Sequence, residues 1–360
     1  MPGLRSRHFF IPMKPLLSFL FSLLIIPAIG QDLNKDNFNF SAYLETYYSY
    51  DFNQPDDQNR PDFLYNFSRH NEFSINLAMV KMAYQSDGIR ANLALMAGTY
   101  AQFNMANEPT WAQFINEASL GVRLHEKLWL DIGVMPSHIG FETWIGAECW
   151  HLSRSLLAEN SPYFLTGARL SYAVKENIDL TLWASNGWQN VQRVERNRGL
   201  GLGFGVTHRP IPGLEINYAN YLGNEGIDPV KLWRFFNNFY LQSEVGYWGL
   251  TLGTDYGIQQ AYLGGINQWY GLTASLRRAI DEKVYVAGRA EYYSDPKGII
   301  LNEGLKVSGL SCNLDYHYNP SALFRLEVRQ FISSEGVFSL PGGRFSKGNT
   351  AVTASFSLSF

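Results

Sequence analysis

The end of the chain, from Thr350 to Phe360, alternates strictly. Val352, Ala354, Phe356, Leu358 and Phe360 fall on one face of a period-two strand, and Ala351, Thr353, Ser355, Ser357 and Ser359 fall on the other. One face is apolar and the other small and hydroxylated, which suits the edge strand of a soluble sandwich as well as a strand with lipid on one side. The rest of the chain decides between them. From Phe38 to Tyr50, Phe40, Ala42, Leu44, Tyr48 and Tyr50 alternate with Asn39, Ser41, Tyr43, Glu45 and Tyr47. A polar loop, Asp51 to Ser68, leads to a strand in which Phe73, Ile75, Leu77 and Met79 alternate with Glu72, Ser74, Asn76 and Ala78. Asp87-Gly88 then predicts a tight turn, after which Ile89, Ala91, Leu93, Leu95 and Ala97 face away from Arg90, Asn92, Ala94, Gly98 and Tyr100.

Short and long connections alternate from there to the end. Short turns are expected at His125-Glu126-Lys127, Lys175-Glu176-Asn177, Arg209 to Gly213, Gly246, Asp281-Glu282 and Asn319-Pro320-Ser321. Longer polar connections fall at Asn104 to Ala112, Ser137 to Pro162, Trp188 to Asn197, Gly223 to Trp233, Gln259 to Asn267, Asp295 to Gly304 and Ser333 to Lys347. A soluble sandwich has no reason to sort its connections in this way. The pattern predicts an all-β fold, a transmembrane antiparallel β-barrel of about sixteen strands (roughly 14–18), with short periplasmic turns, long extracellular loops and both ends on the short-turn side.

Composition agrees with that reading. The 360 residues include 21 Tyr, 24 Phe and 9 Trp, yet only 17% are charged and mean hydropathy is −0.16, too polar for a bundle of membrane helices. The N-terminus has the form of an export signal over residues 1–30. Arg5, Arg7 and Lys14 precede an apolar core from Leu16 to Ile29, and Ala28-Ile29-Gly30 offers small residues for cleavage before Gln31. That leaves 31–360 as the barrel. Losing three basic and no acidic residues with the signal takes the formal charge from −3 to −6, and no basic tract remains to bind nucleic acid. Two cysteines, Cys149 in a surface loop and Cys312 on a lipid face, are too few and too far apart in character for a disulfide framework or a zinc site. No metal or cofactor is expected.

Several stretches resemble the OmpL-like β-barrel porins of Gram-negative outer membranes. They are Arg69-His70-Asn71-Glu72-Phe73, Arg90 to Tyr100, Ser137-His138-Ile139-Gly140-Phe141-Glu142, Leu157 to Tyr163, Asn186-Gly187-Trp188-Gln189 and Arg289 to Asp295. The terminal Phe360 likewise looks like the assembly signal of such barrels. The resemblance implies a porin in the cell outer membrane, in contact with its lipid and inserted by the barrel assembly machinery, forming a channel for passive diffusion of small hydrophilic solutes or ions. It is compatible with a homotrimer, and it brings no catalytic residues.

If the apolar set of each strand meets lipid, the opposite set lines the lumen, because an Arg at the membrane midplane would cost about 2–4 kcal/mol. The lumen wall candidates are Arg90, Arg123, Arg169, Arg289, Glu291, Arg325, Glu327 and Arg329, expected as a mixed, hydrated surface. Gly199, Gly201, Gly203 and Gly205 fall on the same side and mark a thin wall or a place where a loop lies close. The connection from Ser137 to Pro162 carries Ile139, Phe141, Trp144, Trp150, Leu156 and Leu157, and is too apolar to stand in solvent. It is expected either to fold inward, with Glu142, Glu148, Arg154 and Glu159 as constriction candidates, or to cap the rim. The alternatives to a porin are a barrel enzyme of lipase or protease type, using His138 or His151, and a plugged structural or adhesin barrel. For the enzyme, no serine, histidine and polar orienter fall on neighbouring positions in the alternation.

Overall fold

The computed structural model describes residues 35–301 and 304–360, so the expected export signal at residues 1–30 lies outside the described residues. Lys35–Asn37 form a single 3-10 turn. Sixteen strands then close an antiparallel barrel, one compact unit from Asn39 to Phe360. In chain order they are β1 (Phe38–Asp51), β2 (Phe73–Ser86), β3 (Ile89–Ala97), β4 (Ile115–His125), β5 (Leu128–Pro136), β6 (Phe164–Lys175), β7 (Ile178–Ser185) and β8 (Gly201–Ile211). There follow β9 (Leu214–Asn224), β10 (Trp233–Val245), β11 (Trp248–Gln260), β12 (Ile266–Ala279), β13 (Val284–Asp295), β14 (Leu305–Asn319), β15 (Ala322–Ser333) and β18 (Gly348–Ser359). The remaining pair, β16 (Phe338–Leu340) and β17 (Arg344–Ser346), makes a small hairpin inside the last long loop.

Closure comes from the two ends. Tyr43 to Asp51 of β1 pair with Ser359 to Ala351 of β18, and Ala42 and Phe360 exchange backbone hydrogen bonds at 2.6 and 3.0 Å. Every strand edge is thereby paired, which a membrane requires, since lipid offers backbone groups no partner. No helix of the described residues is long and apolar enough to cross a membrane; the crossing is by strands.

The connections sort as the alternation predicts. Seven short turns lie at one end, and eight longer loops at the other: L1 (52–72), L2 (98–114), L3 (137–163), L4 (186–200), L5 (225–232), L6 (261–265), L7 (296–304) and L8 (334–347). L2 opens with a short helix, α1 (Thr99–Asn104). Outward positions are apolar and exposed, as with Leu250, Leu252, Leu272, Leu276, Leu310 and Leu326. Inward positions carry the polar residues.

β2 departs from strict alternation. Asn76 and Leu77 are both fully buried, so from Leu77 onward the phase is shifted by one residue. Leu77 and Met79, expected on the lipid side, face inward, while Val80 is exposed. The cause is local. Gly98, at φ 125°, sits so close to the Asn76 carbonyl that a Cβ there would lie 2.4 Å from the oxygen, and β2 pairs with β3 only from Ala78 onward. The run of lumen glycines on β8 begins at Gly201, and Gly199 belongs to L4.

Candidate functional site: the barrel lumen

L3 folds inward and crosses the lumen. Its entry is fixed by His138, whose Nε2 lies 3.0 Å from the Asn220 carbonyl, and by Gly140, whose N–H donates to Asn238 Oδ1 at 3.1 Å. The middle of the loop, a 3-10 turn at Gly146–Glu148, meets β1 where Ala147 N–H donates to the Tyr43 hydroxyl at 3.2 Å. The far side ends in a one-turn helix, α2 (Leu156–Glu159), whose cap Ser155 accepts from Ala158 N–H. A rim cap, the alternative arrangement, is thereby excluded.

The wall of β13, β14 and β15 is built to receive it. Arg325 donates to Asp315 at 2.7 and 2.8 Å, and to the Gly146 and Cys149 carbonyls at 2.7 and 2.9 Å. Arg329 donates to Glu291 at 2.5 and 3.1 Å and to the Arg154 carbonyl at 2.9 Å. Arg289 reaches the Ser153 carbonyl at 2.8 Å and Glu327 at 3.2 Å. In return the loop gives its N–H groups to the wall: Leu152 to Asn313, Ser153 to Glu327 and Leu156 to Glu291, at 3.0, 2.8 and 2.7 Å. All these wall residues are buried, none more than 6% exposed. The expected hydrated surface is here a dry, matched interface, in which each charge meets an opposite charge and loop backbone dipoles.

Glycines on the same inner surface make room for loop side chains. A Cβ at Gly203 would lie 2.7 Å from His138, one at Gly249 2.6 Å from Trp150, one at Gly253 2.9 Å from Phe141 and one at Gly271 2.4 Å from Leu157. The β8 glycines thus mark a loop lying close, as the sequence pattern allows.

The four charged loop residues take different places. Glu142 accepts from Ser155 through both N–H and Oγ, and stands 3.6 Å from Arg289. Arg154 turns back on its own loop, donating to the carbonyls of Thr143, Leu152 and Trp144 at 2.6, 2.6 and 3.1 Å. Glu159 ties L3 to L1, accepting from Tyr65 N–H at 2.8 Å and Asn66 Nδ2 at 3.1 Å, and its burial pushes the carboxyl up to about 7. Glu148 alone of the four is exposed. It borders a cavity of about 370 Å³ between the loop and the β2, β4, β5 and β10 wall, also lined by Lys81, Asn116, Glu117 and Tyr240. Lys81 and Glu117 form an ion pair at 2.7 Å there.

Near the short-turn end, Asp131 bridges Arg90 at 2.6 Å and Arg169 at 3.2 Å, with both arginines about a quarter exposed. Arg90 lies over the Trp129 ring at 4.3 Å. Arg123 sits at the short β2–β3 turn, its N–H donating to the Gly88 carbonyl and its side chain paired with the exposed Asp87. Both cysteines are free; Cys149 is buried within L3, not at a surface, and Cys312 is exposed on the outer face. Lys81 was not legible as a lumen residue, because unbroken alternation from Phe73 would place it in lipid. That implausible placement is the signal for the phase shift.

L3 also brings a serine, a histidine and an acid together. His151 Nε2 lies 2.6 Å from Ser275 Oγ, and its Nδ1 is 4.0 Å from Glu327 Oε1. The second distance is too long for a hydrogen bond, and Nδ1 has no partner among the described residues. Glu327 is engaged by Arg289 and Ser153, and His151 is 2% exposed.

The fold has solved counterparts. The outer-membrane channel DcaP of Acinetobacter baumannii superposes with a TM-score of 0.62 at 11% identity, covering 92% of this chain and 100% of that one. An anion-selective porin from Comamonas acidovorans gives 0.61 at 8%, covering 90% and 99%. OmpF of Salmonella typhi, in complex with daunomycin, gives 0.56 at 11%, covering 91% and 99%. No curated protein matches the chain in sequence. The model of the family described as "Putative beta-barrel porin-2, OmpL-like" matches residues 37–360. The closed sixteen-strand barrel with its infolded third loop is thus the form that this family model takes here, and the chain belongs to the OmpL-like β-barrel porins of the outer membrane.

Proposed function

We propose that small hydrophilic solutes and ions cross this porin passively through the gap that L3 leaves beside the β2–β5 wall, and not along the arginine-rich wall of β13–β15. The observation that carries this is the uneven distribution of L3's charged contacts. Its hydrogen bonds with Arg289, Arg325 and Arg329 run to β13 and β15, while toward β2–β5, where Trp144 and Ala158 pack on Leu77, Met79 and Val134, a cavity of about 370 Å³ is left. Glu148, Glu142, Lys81 and Glu117 are then the charged groups on its lining, Glu142 being 3.6 Å from Arg289. Lys81 and Glu117 neutralise each other, so Glu148 gives the gap a mild preference for cations. Glu142, Arg154 and Glu159 shape the loop that sets the gap. Planar-bilayer recordings of the purified protein test this reading. Glu148→Arg is expected to lower conductance and shift reversal potentials toward anions. Folded protein without channel activity would favour a plugged structural barrel instead.

The chain is read as non-enzymatic. The Ser275–His151–Glu327 group supports that reading, because it borders none of the cavities described and its histidine lacks an orienting bond. Lipid or peptide hydrolysis that disappears in His138→Ala or His151→Ala would contradict it. Cleavage before Gln31, insertion by the barrel assembly machinery through Phe360, lipid around the exposed apolar face and a homotrimer complete the proposal. Light scattering of the detergent-extracted protein decides the last of these.

A further inference from the structure

Most of the charge on the lining of the gap beside β2–β5 is already matched. Lys81 and Glu117 hold each other at 2.7 Å. Glu142 accepts from the N–H of Ser155 at 2.8 Å and from its hydroxyl, and stands 3.6 Å from Arg289. Glu148 is the remaining charged group of the lining. It is exposed, and among the described residues no hydrogen bond or ion pair holds its carboxylate.

The cations whose fields reach Glu148 are committed elsewhere. They are Lys81, bound to Glu117, and Arg154, which is fully buried and spends Nε, Nη1 and Nη2 on the carbonyls of Thr143, Leu152 and Trp144. Glu148 therefore borders the cavity with its acceptor oxygens free. Its complement is a cation that brings its own N–H donors.

The rest of the lining separates an organic cation from a metal ion. Pro136, Ile139, Phe141, Ile145 and Pro162 make much of it apolar, and such groups offer nothing in exchange for the hydration shell of a small ion. An alkylammonium gives up less water there, because its apolar part gains from burial. Phe141 supplies a ring in a fixed position. It stands edge-on to Tyr240 at 5.6 Å, and a Cβ at Gly253 of β11 would lie 2.9 Å from it. A ring so held needs little ordering before a cation or an apolar body meets it. At about 370 Å³ the cavity lies in the size range of small-molecule sites.

We infer, resting on the solute route proposed above, that this gap selects small organic cations, an ammonium group meeting Glu148 and an apolar body lying against Phe141. The test uses purified protein carrying KCl current in planar bilayers, titrated with phenethylammonium, phenethyl alcohol, hydrocinnamate and ethylammonium. Phenethylammonium should block at a concentration about tenfold or more below the others, each of which lacks either the positive charge or the ring. Glu148→Gln should raise its blocking concentration about fivefold or more and leave that of phenethyl alcohol little changed. The comparison of compounds on unaltered protein is the primary readout, since it needs no variant to fold. Phenethylammonium blocking no better than phenethyl alcohol, no better than hydrocinnamate or no better than ethylammonium, or blocking folded Glu148→Gln protein at an unchanged concentration, would each overturn the inference while the KCl current left the route standing. A folded barrel that carries no KCl current would remove the route and this selectivity with it.

Discussion

Arg325 on β15 and Asp315 on β14 face each other across one strand pair and are joined by two hydrogen bonds, Nε to Oδ1 at 2.7 Å and Nη2 to Oδ2 at 2.8 Å. The same guanidinium holds L3 through the carbonyls of Gly146 and Cys149. Wall charge and loop position are therefore one structure. Removing Arg325 unlatches the loop and strands a buried carboxylate.

Arg325→Ala is accordingly expected to cost about 3–5 kcal/mol, the usual penalty for breaking one side of a buried pair. Arg209→Ala provides the contrast. Its side chain is 46% exposed between Asp179 and Glu215, and its loss should cost about 0–1 kcal/mol. Urea midpoints of the refolded barrels measure both. In bilayers, Arg325→Ala should also give larger and noisier channels than the parent, because L3 has lost two of its backbone anchors.

A second prediction concerns a glycine that receives the loop. A Cβ at Gly271 would meet Leu157 Cδ2 at 2.4 Å and Tyr293 Cδ2 at 2.9 Å. Gly271→Ala should destabilise by about 1–3 kcal/mol through overpacking. In the Gly271→Ala, Leu157→Ala pair the added methyl enters space that the leucine has left, so the two costs should fall short of additivity by about 0.5 kcal/mol or more. Strict additivity in urea melts would mean that the contact does not govern the cost.

The strands, their inward and outward faces and the sorting of long from short connections were legible because side chains alternate with period two wherever lipid and lumen oppose each other. The infolding of L3 was legible only as a choice, from the apolar content of Trp144, Trp150, Leu156 and Leu157. Its seat was not, since Arg289, Arg325 and Arg329 bind the loop mainly through carbonyls, which every sequence supplies alike. Leu77 and Met79 were misplaced because a backbone irregularity beside Gly98 leaves no mark in hydropathy.

The terminal strand shows how the filled lumen changes an expectation. Alternation assigns Leu358 to lipid and Ser357 to the lumen, and a wet lumen would tolerate Ser357→Arg while lipid would reject Leu358→Arg. Ser357 does face inward, but it is 1% exposed, beside the buried Tyr43 that contacts L3. Both substitutions should therefore impair folding: Leu358→Arg by up to about 2–4 kcal/mol from burying charge in hydrocarbon, and Ser357→Arg by about 1–3 kcal/mol from overpacking. Ser359→Arg, half-exposed at the short-turn rim, should be tolerated. The folded, heat-modifiable fraction on a cold detergent gel reads all three. Full folding of Ser357→Arg would show that the lumen is open at this level.

Acid should loosen L3, and the sign follows from two of its histidines set against two of its carboxyls. Burial holds the His138 imidazole down at about 4, and burial together with the nearby Arg289, Arg325, Arg329 and Arg277 holds His151 well below the usual histidine range. Both are neutral when the loop is docked, so their contribution is present above about pH 6.5 and is lost as pH falls, because the released histidines take up protons. Glu159 acts oppositely. Raised to about 7 by burial, it favours docking most below its ordinary range, near pH 4.5, and that contribution is lost as pH rises through 7. Below pH 6.5 the two histidines oppose Glu159 and the smaller upward shift that burial gives Glu148, so docking weakens overall, by about 1.4 kcal/mol per histidine for each unit between its docked and released values. Single-channel recordings should show greater open-state noise and rising conductance from pH 7 to pH 5. Glu159→Gln should steepen that rise by removing the opposing group, and the double variant His138→Gln, His151→Gln should reverse it, leaving Glu159 to tighten docking as pH falls. A conductance that still rises toward acid pH in the double variant would show that groups other than these two histidines are responsible.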